Sequence, residues 1–287
     1  MLESWWKNMR NRQNEELLLK IQYAARRKYN CAEKMIYWSF WLSFVPLLSL
    51  VPALDFFKKA EPFVVIGFDF VIFLMTILYT RFVGEGASYK AYFDFYVFGF
   101  GIENNVQNTK IKEKALQSFN KHVDQASIQI ANTGEDTPPG VKDWYTFTEA
   151  KNDSDAVYKC QVENAWWTSK MFLWKWLSLA ITFGVVILIA VFLKLIIKVD
   201  WCELILALAG ISVKLLERMI CVISFLFASI RVDGAIKVLS TNRTKKQLLS
   251  LQELIDYQRR IPFLPSNRMH QKKARELSTL YREINMD

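Results

Sequence analysis

The sequence predicts an all-α membrane protein, with four transmembrane helices as two hairpins and a mainly helical cytosolic region. Three observations point there. The apolar residues, 52% of the 287, fall in long runs, and most of the 37 lysines and arginines sit between those runs. The connectors inside each apolar pair are short, whereas the stretch between the pairs is long and polar. Bulk composition would not decide the matter. Mean hydropathy is only +0.09, and about 45–50% apolar residues is ordinary for a soluble chain. The distribution excludes an ordinary soluble domain, a disordered chain and a secreted disulfide scaffold.

The elements follow in order. Residues 1–34 form an N-terminal cytosolic segment in which Asn14–Tyr29 reads as an amphipathic helix. Leu17, Leu18, Ile21 and Ala24–Ala25 recur there at helical spacing. Residues 35–80 form the first hairpin. Met35–Leu54 supplies the roughly 20 apolar residues that a bilayer core of about 30 Å requires. Asp55–Glu61 connects it to Phe63–Tyr79, which only Asp69 interrupts. Residues 81–173 form a central cytosolic region. It begins as an extension of the second span over Gly84–Phe98 and continues with a helix over Thr109–Ile130. A loop marked by Gly134, Pro138, Pro139 and Gly140 then leads to an aromatic-rich return, Asp143–Trp167. Residues 174–230 form the second hairpin with a cytosolic extension. Trp174–Leu193 is one span, and Trp201–Ile230 begins as another and runs on past the membrane. Residues 231–287 carry two C-terminal helices, Lys246–Arg260 and His270–Ile284, separated by Pro262 and Pro265.

Positive charge orients the spans. Lysines and arginines crowd the N-terminal arm and the C-terminal tail, while the short connectors hold only Lys58, Lys59, Lys194 and Lys198. Both termini and the central region are therefore expected in the cytosol of a multi-pass inner-membrane protein. No cleavable signal is expected, because a polar stretch precedes the first span. Trp38, Trp41, Trp166, Trp167, Trp174, Trp176 and Trp201 fall where an interfacial aromatic belt would.

Ionisable residues inside a span mark either a functional path or helix contacts. At about 100° per residue, Glu203, Ala207, Gly210, Lys214, Glu217, Arg218 and Cys221 share one arc of the fourth helix. That arc suits a pore lining or an oligomer seam. Alternatively, the span ends near Val213 and Lys214–Arg218 are interfacial anchors. Asp69 shares a face with Thr76 and Thr80, and Lys214 and Ser43 are its candidate partners.

Enzyme signatures are missing. No phosphate loop, H-E-x-x-H or G-x-S-x-G motif occurs, and Gly99–Gly101 lacks the context of a dinucleotide turn. Cys31, Cys160, Cys202 and Cys221 are scattered, and His122 and His270 complete no zinc set. No catalytic residue, metal or cofactor is assigned, and an enzyme is not expected.

Three patches carry a resemblance. They are Arg12-Gln13-Asn14; Asp94-Phe95-Tyr96-Val97 through Asp143-Trp144-Tyr145 to Cys160-Gln161, Asn164 and Trp167; and Leu251-Gln252, Ile255 and Arg259 before Pro262. In order and placement the set resembles the four-transmembrane effector family associated with bacterial SMODS nucleotidyltransferases. Val162 follows the Cys–Gln pair where that family tends to carry a cation. The resemblance implies an antiphage effector regulated by a cyclic di- or oligonucleotide from a partner synthase. The effector would oligomerise or open and permeabilise the inner membrane, with lipid and further copies of itself as partners and no DNA or RNA polymer. Such a ligand needs cations for its phosphates and flat side chains for its bases. Trp144 and Tyr145 are candidates for stacking, Gln161 and Asn164 for base edges, and Arg259 and Arg260 for phosphates. Docking of the central loop on the tail is the other role open to each. A constitutive channel or transporter subunit, a membrane-anchored scaffold and a lipid enzyme are the rival functions.

Overall fold

A computed structural model describes residues 9–50, 55–101, 106–146, 150, 152–239, 243–263 and 267–285. Among them the chain is helices and loops, with one isolated bridge between Thr133 and Lys142. Helix α1 (Glu16–Leu42) runs antiparallel to α2 (Asp55–Val97): Leu18 and Ile21 pack near Phe93 and Val97, and Ala32 near Tyr79 and Val83. Helices α3 (Val106–Asn120) and α4 (Val123–Ala131) lie on α1. Helices α5 (Asp153–Leu195) and α6 (Trp201–Val238) form a second antiparallel pair, joined at a cluster of Leu193, Val199 and Leu204. Helix α7 (Lys245–Arg260) packs against α2, α5 and α6, and α8 (Asn267–Asn285) touches α5.

Local chemistry sets these ends. The Asn152 side chain accepts from Asp155 N at 2.9 Å to start α5, and Asp200 accepts from Cys202 N at 2.8 Å to start α6. Thr244 and Gln247 form a capping box at the head of α7. Helix α2 ends in a Schellman turn. Gly99, at φ +66°, donates to Tyr96 O, and Phe100 N donates to Phe95 O at 3.1 Å. The Gly99–Gly101 pair is thus a helix terminator.

Helices α2 and α5 have 43 residues each and α6 has 38. At about 1.5 Å per residue they are roughly twice as long as a 30 Å bilayer core. Each therefore runs through an apolar layer and continues into a polar head. Val65–Val97, Asp153–Leu195 and Trp201–Val238 are long and apolar enough to cross a membrane. Only 11% of the apolar window is buried within the chain in the first two. Phe63, Ile66 and Leu188 are instead largely exposed, a surface suited to lipid rather than water.

Four expectations are corrected. The first apolar run is not one continuous helix: α1 stops at Leu42, Val45–Leu50 is a 3-10 helix, and Leu54 lies outside the described residues. Pro46 explains the break, since proline has no N–H to donate and its ring clashes with the preceding turn. Leu50 still packs on Leu193 and Leu204, so the segment stays against the second helix pair. Asp55–Glu61, expected as a connector, forms the first turns of α2. Thr109–Ile130 divides into α3 and α4 at Lys121–His122. Finally, Trp167 and Trp166 do not join an outer belt. Trp167 lines an internal cavity, and Trp166 lies 5.1 Å from the Tyr281 ring of α8.

Candidate functional site

The sequence patches converge on one buried polar network in the head. Asp94, on α2, is 0% exposed and meets Arg259 of α7 at 2.5 Å. Tyr145 donates to Asp94 Oδ1 at 2.6 Å, and Asn164 of α5 donates to the Tyr145 hydroxyl at 2.7 Å. Gln252 donates to both Asp94 and Asp256 at 3.0 Å, and Gln161 donates to Leu248 O at 2.8 Å. Gln13 accepts from Tyr145 N at 2.9 Å. Asn14 and Asp143 exchange two hydrogen bonds, which hold Asp143 at φ +49°. Burial pushes the Tyr145 hydroxyl well above its ordinary pKa, and the Asp94 charge adds to this. Burial opposes the Arg259 charge, but Asp94 and Asp256 together outweigh it and raise its pKa. Burial also pushes Asp256 up to about 7, with Asp94 reinforcing the shift against Arg259.

A cavity of about 670 Å³ opens beside this network, between α1, α2, α5, α7 and the 133–146 loop. Ligand pockets typically span roughly 300–1,000 Å³. Six basic side chains and four carboxylates line it, and Arg259 among the basic ones is already paired with Asp94. Arg10 and Lys142 stand exposed at its edge. Arg26 donates to Pro139 O at 2.6 Å and so anchors the loop that forms one wall. Gly140 must be glycine here, because a Cβ would lie 1.8 Å from Asn132 O. Lys90 is buried with its Nζ 3.1 Å from the Trp144 ring centroid, and burial, reinforced by the Arg259 charge, pushes its pKa well below the ordinary lysine value. Gln22 is 0% exposed, and neither its amide nitrogen nor its oxygen has a partner among the described residues. A buried polar group left unsatisfied costs about 1–3 kcal/mol.

The predicted ligand residues divide accordingly. Trp144, Tyr145, Asn164 and Arg259 line the cavity. Tyr145 is only 2% exposed, with the Phe93 ring stacked at 6.2 Å and the Phe98 ring tilted at 5.4 Å. Gln161 is fully buried in the α5–α7 contact, away from the cavity lining, and Arg260 is exposed on the outer side of α7. The two arginines are consecutive, and a helix turns about 100° between neighbours, so only one can face inward. Gln22, Arg26 and Lys90 escaped the sequence reading. A signal did exist for Gln22: it occupies the apolar stripe of α1, four residues after Leu18 and three before Ala25.

The head is tied to the apolar helices through the turn after α7. Pro262 O accepts from the Tyr79 hydroxyl of α2 at 2.6 Å and from Arg218 of α6 at 3.2 Å. Arg218 also donates to the Tyr79 hydroxyl at 3.1 Å and to Glu217 at 2.8 Å. Phe263 packs against Phe172 of α5 and Phe225 of α6, with ring centroids 5.5 and 5.7 Å away. Ile261 and Phe263 reach the cavity as well.

The polar residues of the apolar layer are only partly assembled. Lys214 donates to Thr76 and pairs with Glu217 at 2.7 Å. It does not pair with Asp69, which lies seven residues earlier on α2, roughly 10 Å along the axis. Asp69 is exposed and its Oδ1 lies against Gly210, 3.3 Å from where a Cβ would stand, with Ser43 O beyond at 4.0 Å. Lys214 and Arg218 are buried inside the chain, whereas Glu203 is exposed in the first turn of α6. The arc read from the sequence thus turns mostly inward.

Among comparisons with known proteins, a family model described as "SMODS-associating 4TM effector domain" matches residues 7–208. Neither the curated proteins nor the solved structures yield a match.

Proposed function

The chain belongs to the SMODS-associating 4TM effector family, and from that premise we propose that it is a cyclic-nucleotide-regulated effector that permeabilises the bacterial inner membrane in antiphage defence. One observation carries this reading. The helix that presents Arg259 to the cavity continues within three residues into Pro262, whose carbonyl holds Tyr79 and Arg218 on two of the long apolar helices. A nucleotide phosphate competing with Asp94 for Arg259 would load that turn directly. A ligand shifts a closed–open equilibrium only through its difference in affinity for the two states, and the path from Arg259 to the apolar helices is short.

Four crossings fit the same reading. Met35–Leu42 and the 3-10 helix, at about 1.5 and 2.0 Å per residue, would reach roughly 25 Å if collinear. With α2, α5 and α6 they make two hairpins. The basic termini then lie in the cytosol, where a cyclic nucleotide synthase delivers the ligand. The exposed Asp69 and Glu203 become the surfaces that meet water or a second copy on opening. No residue is given a catalytic role; the head binds and the membrane part responds.

The test is dye-loaded liposomes carrying the purified chain at densities that permit oligomers. Cyclic di- and oligonucleotides are expected to change the leakage rate. Leakage that ignores every such ligand would favour a constitutive channel, and no leakage under any condition would favour a scaffold; either result overturns the reading.

A further inference from the structure

Helix α8 turns a basic side outward beside the point where α5 enters the apolar layer. Leu277 and Tyr281 are buried, and the Tyr281 ring lies 5.1 Å from Trp166 of α5. Eight residues earlier on α8, Lys273 Nζ stands 5.3 Å from the ring of Trp174, eight residues later on α5. The two helices are therefore antiparallel here, and α8 stands upright with its first turns level with Trp174. Trp174 opens the apolar run Trp174–Leu193, and Trp174 and Trp176 are 40% and 45% exposed, as interfacial tryptophans are. The start of α8 is thus held at the depth of lipid headgroups. We propose that Lys170 of α5 and Lys272, Lys273 and Arg275 of α8 bind anionic phospholipid of the leaflet on the head side.

Lys170 lies one turn before Trp174 and is exposed, with its Nζ 5.6 Å from the Trp166 ring. Lys272 and Arg275 are exposed as well. At about 100° per residue, both fall on the side of α8 opposite the buried Leu277. Among the described residues none of these three forms an ion pair. Over residues 272–276 the helix carries three cations and one carboxylate, Glu276. Glu276 pairs with Lys273 at 2.5 Å, but its side chain is 62% exposed, and such surface pairs hold little energy. The excess is positive, and a phosphate at headgroup depth accepts from ammonium and guanidinium groups alike. A phosphatidylcholine headgroup brings its own cation, which this cluster repels; a phosphatidylglycerol headgroup brings none. Each Lys or Arg beside an anionic surface is worth about fivefold in affinity. Trp174 and Trp176 supply rings with an apolar body and a polar N–H, suited to the boundary between headgroup and acyl chain. Lys170, Trp174 and Lys273 lie outside the cavity lining, so this surface goes beyond the nucleotide site and stands whatever fills it.

The experiment is native mass spectrometry of the full chain, released from detergent that contains equal amounts of phosphatidylglycerol and phosphatidylcholine of distinct mass. The first lipid bound to the wild type is expected to be phosphatidylglycerol, by about fivefold or more. Lys170→Gln with Lys272→Gln removes two exposed charges that no ion pair engages, and is expected to bring that ratio towards one. Lys34→Gln removes an exposed lysine just before the first apolar run and is expected to leave the ratio unchanged. Each ratio is read from the folded chain in one spectrum, so a partly unfolded preparation does not mimic the effect. Equal first adducts in the wild type, a ratio that the double variant leaves unchanged, or an equal fall in Lys34→Gln overturns the assignment. None of these outcomes depends on whether a nucleotide binds.

Discussion

Asp94 is fully buried, and Arg259 meets its charge at 2.5 Å while lining the cavity. Removing one partner of a buried ion pair costs about 3–5 kcal/mol, because the other charge stays behind uncompensated. Arg259→Ala is therefore expected to lower unfolding stability by about that much, read by thermal or denaturant unfolding in detergent. Adding Asp94→Asn should return most of the loss. If Arg259→Ala unfolds like the wild type, the pair is not the keystone described. Asp256 sits beside this pair with its carboxyl pushed up to about 7. A raised acid stabilises the fold fully below its unfolded value, near 3.9, and that contribution is lost as pH rises through about 7. Stability should thus decline between about pH 4 and 7, where Glu163, also pushed up to about 7 by burial, adds to the slope, and Asp256→Asn should reduce the slope without abolishing it. A slope unchanged by the substitution would assign it to another group.

At the scale of elements, the junction after α7 matters most. Tyr79 both donates to Pro262 O and accepts from Arg218, so one hydroxyl bonds the turn after α7 to α2 and α6. Tyr79→Phe deletes that hydroxyl and keeps the ring. The expected loss is about 1–3 kcal/mol from the buried groups left unpaired, with the leakage response to ligand shifted. Liposome leakage measured against ligand concentration checks this; a response unchanged from the wild type would remove the turn as the transmitting element. The helices themselves were largely legible. The start of α6 and the two C-terminal helices follow from apolar runs, caps and prolines, all local signals, whereas α6 runs on to Val238, past the Ile230 read from the sequence. The break at Pro46 was also local, but a run of apolar residues hid it, because hydropathy reports partition into lipid and not backbone continuity. The α3–α4 break between Lys121 and His122 has no proline or glycine to announce it, and depends on how both helices settle on α1.

The whole molecule makes a statement about sidedness. Cys202 is exposed at the end of α6 furthest from the head, Cys31 is partly exposed on the head side, and Cys160 and Cys221 are buried. If two hairpins cross the inner membrane with the head in the cytosol, a membrane-impermeant thiol reagent added to cells with a permeabilised outer membrane should label Cys202. Cys31 should react only after lysis. The opposite pattern would invert the topology and remove the head from the compartment where a nucleotide synthase works. The candidate site was less legible than the helices. Trp144, Asn164 and Arg259 were recognisable as chemistry worth having, but Gln161 proved to be a strut between α5 and α7 and Arg260 faces outward. Taken alone, the amino-acid sequence determined that this chain is helical, apolar in layers and basic between them, because run length, charge spacing and capping act over a few residues. Only the tertiary structure decided that Gln22, Lys90, Trp144 and Arg259 share one cavity. These residues come from α1, α2, a loop and α7, and only the packing of α7 among the other helices, with Asp94 buried at its centre, brings them together.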